Sequence, residues 1–302
     1  MKVKSMQMKI QEIGNRFSVP GVRFEMAHGG MIRIAIETAV SRGELYLHGA
    51  HVSRFQPAGC ESVLWMSESS CFESDKPIRG GVPICFPWFG PHPSDAKAPG
   101  HGWARLTEWD LVGCGILDDG GVSLDLRTKS TDFELSFRVE FSKSLRMVLS
   151  VELSAGTIAS RRFEEALHTY LSVGDIHQVS ISGLESVGYL DKVGVLTKRD
   201  ASSEPIQFSQ ETDRVYNDTI ASCVLNDPQL GRTITVRKAG SLSTVIWNPW
   251  IEKSERMPDF GDNEWTGMVC IETANVGNNS VELSPGQVHT MKTEIEVTPW
   301  KN

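Results

Sequence analysis

Alternation of apolar and polar residues is the dominant pattern along this chain. From Phe133 to Phe141 every odd position is apolar and every even position is polar, and the alternation resumes from Leu145 to Leu153. A period of two indicates half-buried strands, and the short break between the runs indicates a tight turn, so this segment predicts a β-hairpin. Shorter alternating stretches predict further strands at residues 32–36, 122–127, 233–237 and 286–299.

The spacing of these strands favours an all-β fold. Helical periodicity over ten or more residues is hard to find, and short strands with glycine-rich punctuation are typical of a large antiparallel β-sandwich. Six prolines between Pro77 and Pro99 interrupt the alternation. Because proline is excluded from central strands, this segment predicts an ordered loop or an edge excursion, where functional sites are often mounted.

The length of 302 residues alone favours two domains, but single β-sandwiches reach about 200–250 residues. Since we find no internal repeat and no evident linker, we predict one domain over residues 1–302.

The net charge of −8 argues against a nucleic-acid partner, although two or three arginines could still bind a small anion. No stretch approaches the roughly 18 apolar residues of a membrane span, and the N-terminus lacks the apolar region of a signal peptide.

The six cysteines are scattered and form no C-x-x-C pair. Several lie in apolar runs, which favours buried free thiols over zinc sites or disulfides. Free thiols are typical of a reducing compartment, so the sequence predicts a cytoplasmic protein.

Two segments near the proline-rich region carry candidate binding groups. Arg79 is the only charged residue in the run at 78–90, and a rigidly held guanidinium suits hydroxyl or phosphate recognition. A surface arginine beside a turn is the alternative. His101 and Arg105 lie within six residues of each other together with a tryptophan, which suits sugar binding but equally fits a loop with a structural histidine.

Two further segments carry candidate acid–base groups. His168 lies in an alternating, strand-like run, where a structural histidine is more common than a catalytic one. Glu272 follows four apolar residues, so we expect a desolvated carboxylate, either in a structural ion pair or with its pKa raised toward that of a working base.

Taken in order, these segments resemble the aldose 1-epimerase superfamily, and specifically its hexose-6-phosphate branch, the glucose-6-phosphate 1-epimerases. The resemblance runs from about Leu45 to the C-terminus, and its specificity comes from six short runs in the same order. They are R-G-G-x-P-x-x-F-P-x-F-G from Arg79, H-G-W-A-R at 101–105, L-H-T-Y-L at 167–171, T-D-R-V-Y at 212–216, V-I-W-N-P-W at 245–250 and E-T-A-N at 272–275.

The resemblance implies a large antiparallel β-sandwich with a site in a cleft on its concave face, and no metal or organic cofactor. It implies a monomeric, cytoplasmic isomerase that interconverts the α and β anomers of a hexose 6-phosphate. The implied catalytic pair is His168 and Glu272. The implied substrate-binding residues are Arg79, His101, Arg105 and Asp213. The chain departs from the branch at Gly100, where a polar residue such as glutamine is common, so the identity of the substrate is less specified than the reaction.

Anomer exchange breaks and re-forms the bond between the anomeric carbon and the ring oxygen, so it needs one base and one acid. We hypothesise that Glu272 is the base and His168 the acid, on either side of the sugar, and that Arg79 and Arg105 contact the phosphate. His168 then needs a neighbour that favours imidazolium, because desolvation lowers the pKa of a histidine.

Other functions fit the same residues. A non-catalytic carbohydrate-binding or regulatory β-sandwich would need no acid–base pair, and a mutarotase for unphosphorylated aldoses would need no phosphate contact. A glycosidase usually has two carboxylates flanking the scissile bond, which fits a histidine–glutamate pair less well.

Overall fold

The structure is a computed structural model that describes the backbone of residues 2–300 and the side chains of residues 6–300. These residues form two α-helices and 22 strands. The helices are α1 (Lys2–Arg16) and α2 (Trp250–Glu255). The strands are β1 (Val22–Met26), β2 (Ile32–Glu37), β3 (Ser41–Tyr46), β4 (His51–Pro57), β5 (Ile84–Cys85), β6 (Asp110–Ile116), β7 (Val122–Lys129), β8 (Phe133–Phe141), β9 (Ser144–Leu153), β10 (Arg161–Phe163), β11 (Glu165–Leu167), β12 (Tyr170–Ser172), β13 (Ser180–Ser182), β14 (Tyr189–Asp191), β15 (Thr197–Arg199), β16 (Thr212–Tyr216), β17 (Cys223–Asp227), β18 (Arg232–Ala239), β19 (Ser243–Asn248), β20 (Met268–Asn275), β21 (Val281–Leu283) and β22 (Val288–Pro299).

The long strands form one eight-stranded antiparallel sheet in the order β13-β17-β18-β22-β9-β8-β7-β6. The predicted hairpin is its β8–β9 pair, with Phe141 opposite Leu145. Along β8 every odd residue is buried and every even residue is partly exposed. The alternating pattern therefore corresponds to a strand with one face packed on the core and the other face toward solvent, as predicted.

A second eight-stranded antiparallel sheet holds shorter strands in the order β15-β14-β16-β19-β20-β11-β5, with β12 also paired to β20. The proline-rich segment contributes only β5, which lies at the edge of this sheet, as expected for an edge excursion. Two smaller sheets, β1-β2-β3-β4 and β10-β21, complete the strand pairing of the described residues.

One buried apolar cluster joins the two large sheets. It contains Ile246 and Ile271 from the second sheet together with Leu149, Ile234 and Ile295 from the first. Packing of two antiparallel sheets across such a core defines a β-sandwich, so the predicted fold class is confirmed. Neither α-helix in the described part of the chain is long and apolar enough to cross a membrane.

Helix α1 corrects the expectation that long helices are absent. Met6, Ile10, Ile13 and Phe17 pack against the core, and their spacing of four, three and four residues places them on one face of the helix. This stripe has only about one apolar residue per turn. The helical period of this stripe is hard to see in the sequence, because Met8 interrupts it although its side chain is exposed.

Candidate active site

Strand register brings His168 and Glu272 together. Strands β11 and β12 both pair with β20, with Leu167 opposite Thr273 and Tyr170 opposite Cys270. The two pairs share one register, which puts His168 opposite Glu272. Directly opposed residues of antiparallel strands project their side chains on the same face. His168 Nε2 and Glu272 Oε1 are accordingly 3.4 Å apart.

This contact corrects the expectation that the acid and the base lie on either side of the sugar. A sugar ring cannot enter a gap of 3.4 Å, so His168 and Glu272 form one wall of the site. Both groups must then face the same edge of a bound sugar.

The wall continues along neighbouring strands. Cys270 lies opposite Trp247 of β19, and Trp247 lies opposite Asp213 of β16. Beyond β16, the backbone N–H of Lys192 donates to the carbonyl of Asp213. Cys270 and Glu272 are two residues apart on β20 and share this face, whereas Ile271 between them points to the opposite face.

Aromatic rings enclose His168. The ring of Tyr170 stacks on it at a centroid distance of 4.7 Å, and Trp247 and His101 approach edge-on at 5.9 and 5.7 Å. Among the described residues, His168 Nδ1 and Glu272 Oε2 have no hydrogen-bond partner. Both of these atoms are therefore buried polar groups with unused bonding capacity.

Burial moves the two pKa values in opposite directions. It lowers the pKa of His168 well below the usual value, and His101, Arg79 and Arg105 lower it further. It raises the pKa of Glu272 well above the usual value; Asp213 adds to this shift and Lys192 opposes it. The neighbour expected to favour imidazolium is not among the described groups that act on the pKa of His168, where burial is the main cause and His101 and two arginines add to it.

His101 is held as a hydrogen-bond donor. Its Nδ1 accepts the backbone N–H of Gly90 at 3.2 Å, so the hydrogen of the neutral ring lies on Nε2. Burial, followed by the charge of Arg105, lowers the pKa of His101 well below the usual value and keeps the ring neutral. Gly102 allows this loop to close, because a Cβ there would lie 1.8 Å from the carbonyl oxygen of Phe86.

Arg79 is largely engaged by protein groups. Its Nε and Nη2 donate to the carboxylate of Asp259 at 3.0–3.2 Å, and its Nη1 donates to the Tyr170 hydroxyl at 2.9 Å. The charge of Arg79 is thus balanced by Asp259, and few of its donors remain for a phosphate. Its second role is to hold Tyr170, on which His168 stacks.

Arg105 differs from Arg79 in having no acidic partner. Its Nη2 donates to the carbonyl of Gly100 at 2.8 Å, and its buried Nε has no acceptor among the described groups. No carboxylate within residues 6–300 lies at ion-pair distance from this guanidinium. Burial lowers the pKa of Arg105, and repulsion from Arg79 acts in the same direction. A partly buried, uncompensated guanidinium is a setting in which an anionic ligand is favoured.

Asp213 lies between two lysines that the sequence analysis did not identify. Lys192 Nζ is 3.7 Å from one of its carboxylate oxygens and Lys253 Nζ is 3.8 Å from the other. Lys192 also lies over the ring of Phe89, 5.1 Å from the centroid. The register between β14 and β16 could have pointed to Lys192, but three-residue strands leave no periodicity in the sequence. Asp259 lies in a turn and carries no sequence signal.

The six residues that the sequence analysis names thus lie in one region. His168 and Glu272 are in contact, His101 packs against His168, and the charges of Arg79 and Arg105 act on His168. Asp213 is the sixth, and its charge acts on Glu272.

Comparison with known proteins agrees with this geometry. The family model described as Aldose 1-epimerase matches residues 33–296. The chain belongs to the aldose 1-epimerase family. This family member is 35% identical over 267 residues to a Salmonella typhimurium protein provisionally named glucose-6-phosphate 1-epimerase, covering 84% of this chain and 87% of that protein.

Two further comparisons extend the similarity of this aldose 1-epimerase family member. A Cenchrus ciliaris protein with the same provisional name is 31% identical over 285 residues, covering 87% of this chain and 85% of that one. The crystal structure of a provisionally identified mutarotase from Salmonella typhimurium superposes with a TM-score of 0.86 at 30% identity, covering 93% of this chain and 95% of that one.

Proposed function

We propose that this aldose 1-epimerase family member interconverts the α and β anomers of a hexose 6-phosphate, with glucose 6-phosphate as the expected substrate. The observation that carries the proposal is the contact between His168 and Glu272 beside Arg105, a partly buried guanidinium without an acidic partner among the described residues. The first feature supplies acid–base chemistry, and the second supplies a reason to bind phosphate. The provisional names of the relatives support the same substrate.

The reaction needs the acid and the base close together. The anomeric hydroxyl and the ring oxygen are bonded to the same carbon, so adjacent side chains can reach both. Glu272 accepts the proton of the anomeric hydroxyl while His168 donates a proton to the ring oxygen, and the bond between the anomeric carbon and the ring oxygen breaks. The aldehyde rotates about the adjacent carbon–carbon bond, and the ring closes on its other face with the roles reversed.

Before substrate binds, burial favours the opposite arrangement, with the proton on Glu272 and not on His168. Because burial raises the pKa of Glu272 and lowers that of His168, burial favours placing one shared proton on Glu272 in the empty site. A phosphate dianion bound at Arg105 opposes the positive charge that depresses the pKa of His168. The proton then moves to His168 across the 3.4 Å contact. Substrate phosphate in this way supports catalysis as well as binding.

The remaining residues bind and orient the sugar. Arg105 contacts the phosphate, and Arg79 adds the donors that Asp259 and Tyr170 leave free. His101 donates from Nε2 to a sugar oxygen, and Asp213 accepts from sugar hydroxyls. We further propose that the protein acts as a one-domain monomer in the cytoplasm, in keeping with its six free cysteines.

A second candidate is a mutarotase for unphosphorylated aldoses. It is favoured by the pairing of Arg79 with Asp259, which leaves Arg105 as the one candidate phosphate arginine whose charge is uncompensated among the described residues. The two candidates share the acid–base pair and differ in their need for phosphate.

Saturation-transfer NMR of anomer exchange, run on glucose 6-phosphate and on glucose, tests the proposal. We expect the wild-type protein to accelerate exchange of the phosphorylated sugar more strongly. We expect Glu272→Gln and His168→Asn to reduce the enzyme-catalysed rate by about 10²–10⁴-fold each, with smaller effects on KM. Absence of acceleration by the wild-type protein, or full activity in both variants, would contradict it.

A further inference from the structure

A third side chain with metal-binding chemistry adjoins the acid–base pair. His168, Cys270 and Glu272 are all buried, and one ligand atom from each lies within 4.8 Å of the other two. Cys270 and Glu272 alternate along β20 and therefore share a face, while His168 is opposite Glu272. The cluster is thus fixed by the pairing of β12 and β20 and does not depend on a mobile loop.

The three donor types are those that zinc prefers. Zinc is bound by imidazole nitrogen, thiolate sulfur and carboxylate oxygen, and sites with three protein ligands keep a fourth position open. With metal–ligand bonds of about 2.0–2.2 Å, tetrahedral geometry puts two nitrogen or oxygen ligands about 3.4 Å apart. His168 Nε2 and Glu272 Oε1 have this separation, 3.4 Å. Side-chain rotation must then bring the Cys270 sulfur closer to these two atoms.

Unsatisfied polar atoms favour a cation here. Glu272 Oε2 is buried and accepts no hydrogen bond from the described residues. A buried oxygen without a hydrogen-bond partner is costly, and coordination to a cation gives such an oxygen a partner. Tyr170 and Trp247, whose ring centroids are 5.9 Å apart, lie on the strands that flank Cys270. They limit access of water around the thiol.

We propose that His168, Cys270 and Glu272 form an inhibitory zinc site. On binding, the S–H bond of Cys270 and the O–H bond of protonated Glu272 break, zinc–sulfur and zinc–oxygen bonds form, and both protons leave to solvent. The ion is coordinated by the lone pairs of His168 and Glu272 through which these residues would exchange protons with the sugar. The inhibition rests on the proposed function, whereas the binding of zinc does not.

Cys85 provides a matched control. It is also a buried, free cysteine of the second sheet, and it lies opposite Ala166, two residues before His168. It is not a member of the cluster. Cys85→Ser therefore removes a nearby thiol without removing a zinc ligand.

Binding is measured with cobalt(II) as a spectroscopic substitute for zinc, on protein freed of metal with a chelator. We expect a thiolate-to-cobalt charge-transfer band that saturates at one ion per chain in the wild type and in Cys85→Ser. Cys270→Ser should lose this band and bind zinc at least about 10–100-fold more weakly, since even partners outside the coordination shell contribute that much. Cys270→Ala, with thermal melts, separates loss of a ligand from loss of folding.

Inhibition is measured by NMR anomer exchange on the same proteins. Zinc should inhibit the wild type and Cys85→Ser, a chelator should restore their activity, and the exchange activity that Cys270→Ser retains should be resistant to zinc. Equal inhibition of wild type and Cys270→Ser, or no charge-transfer band in the wild type, would overturn the proposal. A normal band without any exchange activity in metal-free wild type would instead overturn the proposed function and leave the metal site standing.

Discussion

Replacing Arg105 by methionine and replacing Arg79 by methionine should have opposite effects on the stability of the fold. Arg105 is partly buried and has no acidic partner among the described residues, so Arg105→Met removes an uncompensated charge and keeps most of the side-chain volume. Arg79 and Asp259 form a two-pronged ion pair, with side-chain exposures of 19% and 15%. Arg79→Met leaves the carboxylate of Asp259 without its partner. We therefore expect Arg105→Met to raise the melting temperature and Arg79→Met to lower it.

The magnitudes follow from the contacts. A hydrogen bond to a charged group contributes about 1.5–3 kcal/mol. Loss of one phosphate contact in Arg105→Met should lower kcat/KM for glucose 6-phosphate by about 10–150-fold, at about 1.4 kcal/mol per tenfold change. The Arg79–Asp259 pair is intermediate between surface pairs and fully buried ones, so its loss should destabilise the fold by about 1–3 kcal/mol.

The assay compares anomer exchange of glucose 6-phosphate and glucose by NMR, together with thermal melts in phosphate-free buffer. Arg105→Met should lose activity on the phosphorylated sugar and keep at least the activity that wild type shows on glucose, because it also removes a positive charge that lowers the pKa of His168. An equal loss on both sugars would show that Arg105 does not contact phosphate. A melting temperature that falls as far in Arg105→Met as in Arg79→Met would refute the argument from uncompensated charge.

Three further outcomes are expected. Because burial raises the folded-state pKa of Glu272, wild type should lose stability relative to Glu272→Gln as pH rises above the unfolded carboxyl value of about 4.3. Thermal melts at low and at neutral pH check this, and a pH-independent difference would contradict it. Lys192 opposes the raised pKa of Glu272, so Lys192→Met should move the acidic limb of the kcat/KM profile to higher pH and Lys192→Arg should restore it; an unmoved limb would exclude this role. Inorganic phosphite should accelerate exchange of unphosphorylated glucose by wild type but not by Arg105→Met, and equal acceleration of both would argue against phosphate-assisted protonation of His168.

Periodicity predicted the long strands well and the short elements poorly. The β8–β9 hairpin was predictable because one face of each strand is buried along nearly its whole length. Strands of three residues, such as β12 and β14, are too short to show a period. Helix α1 was missed because its buried stripe is narrow and contacts the rest of the protein along one edge only.

The family resemblance named six residues that the structure brings into one region, but it could not give their geometry. That His168 contacts Glu272 depends on the register of β11 and β12 with β20, which no local pattern encodes. The pairing of Arg79 with Asp259 joins a glycine-rich loop to a distant turn. Such contacts arise only from tertiary packing. The sequence therefore carries no sign of the Arg79–Asp259 pair and leaves Arg79 as a candidate for binding phosphate.

The separation of His168 and Glu272 is set by main-chain hydrogen bonding between adjacent strands. Substitutions elsewhere can hardly alter it, whereas a one-residue insertion in either strand would turn one of the two groups to the opposite face of the sheet. His101 and Arg105, by contrast, lie outside the strands, between β5 and β6. Ligand preference can therefore diverge among descendants of this fold through changes in loops, while the reaction itself is inherited with the sheet.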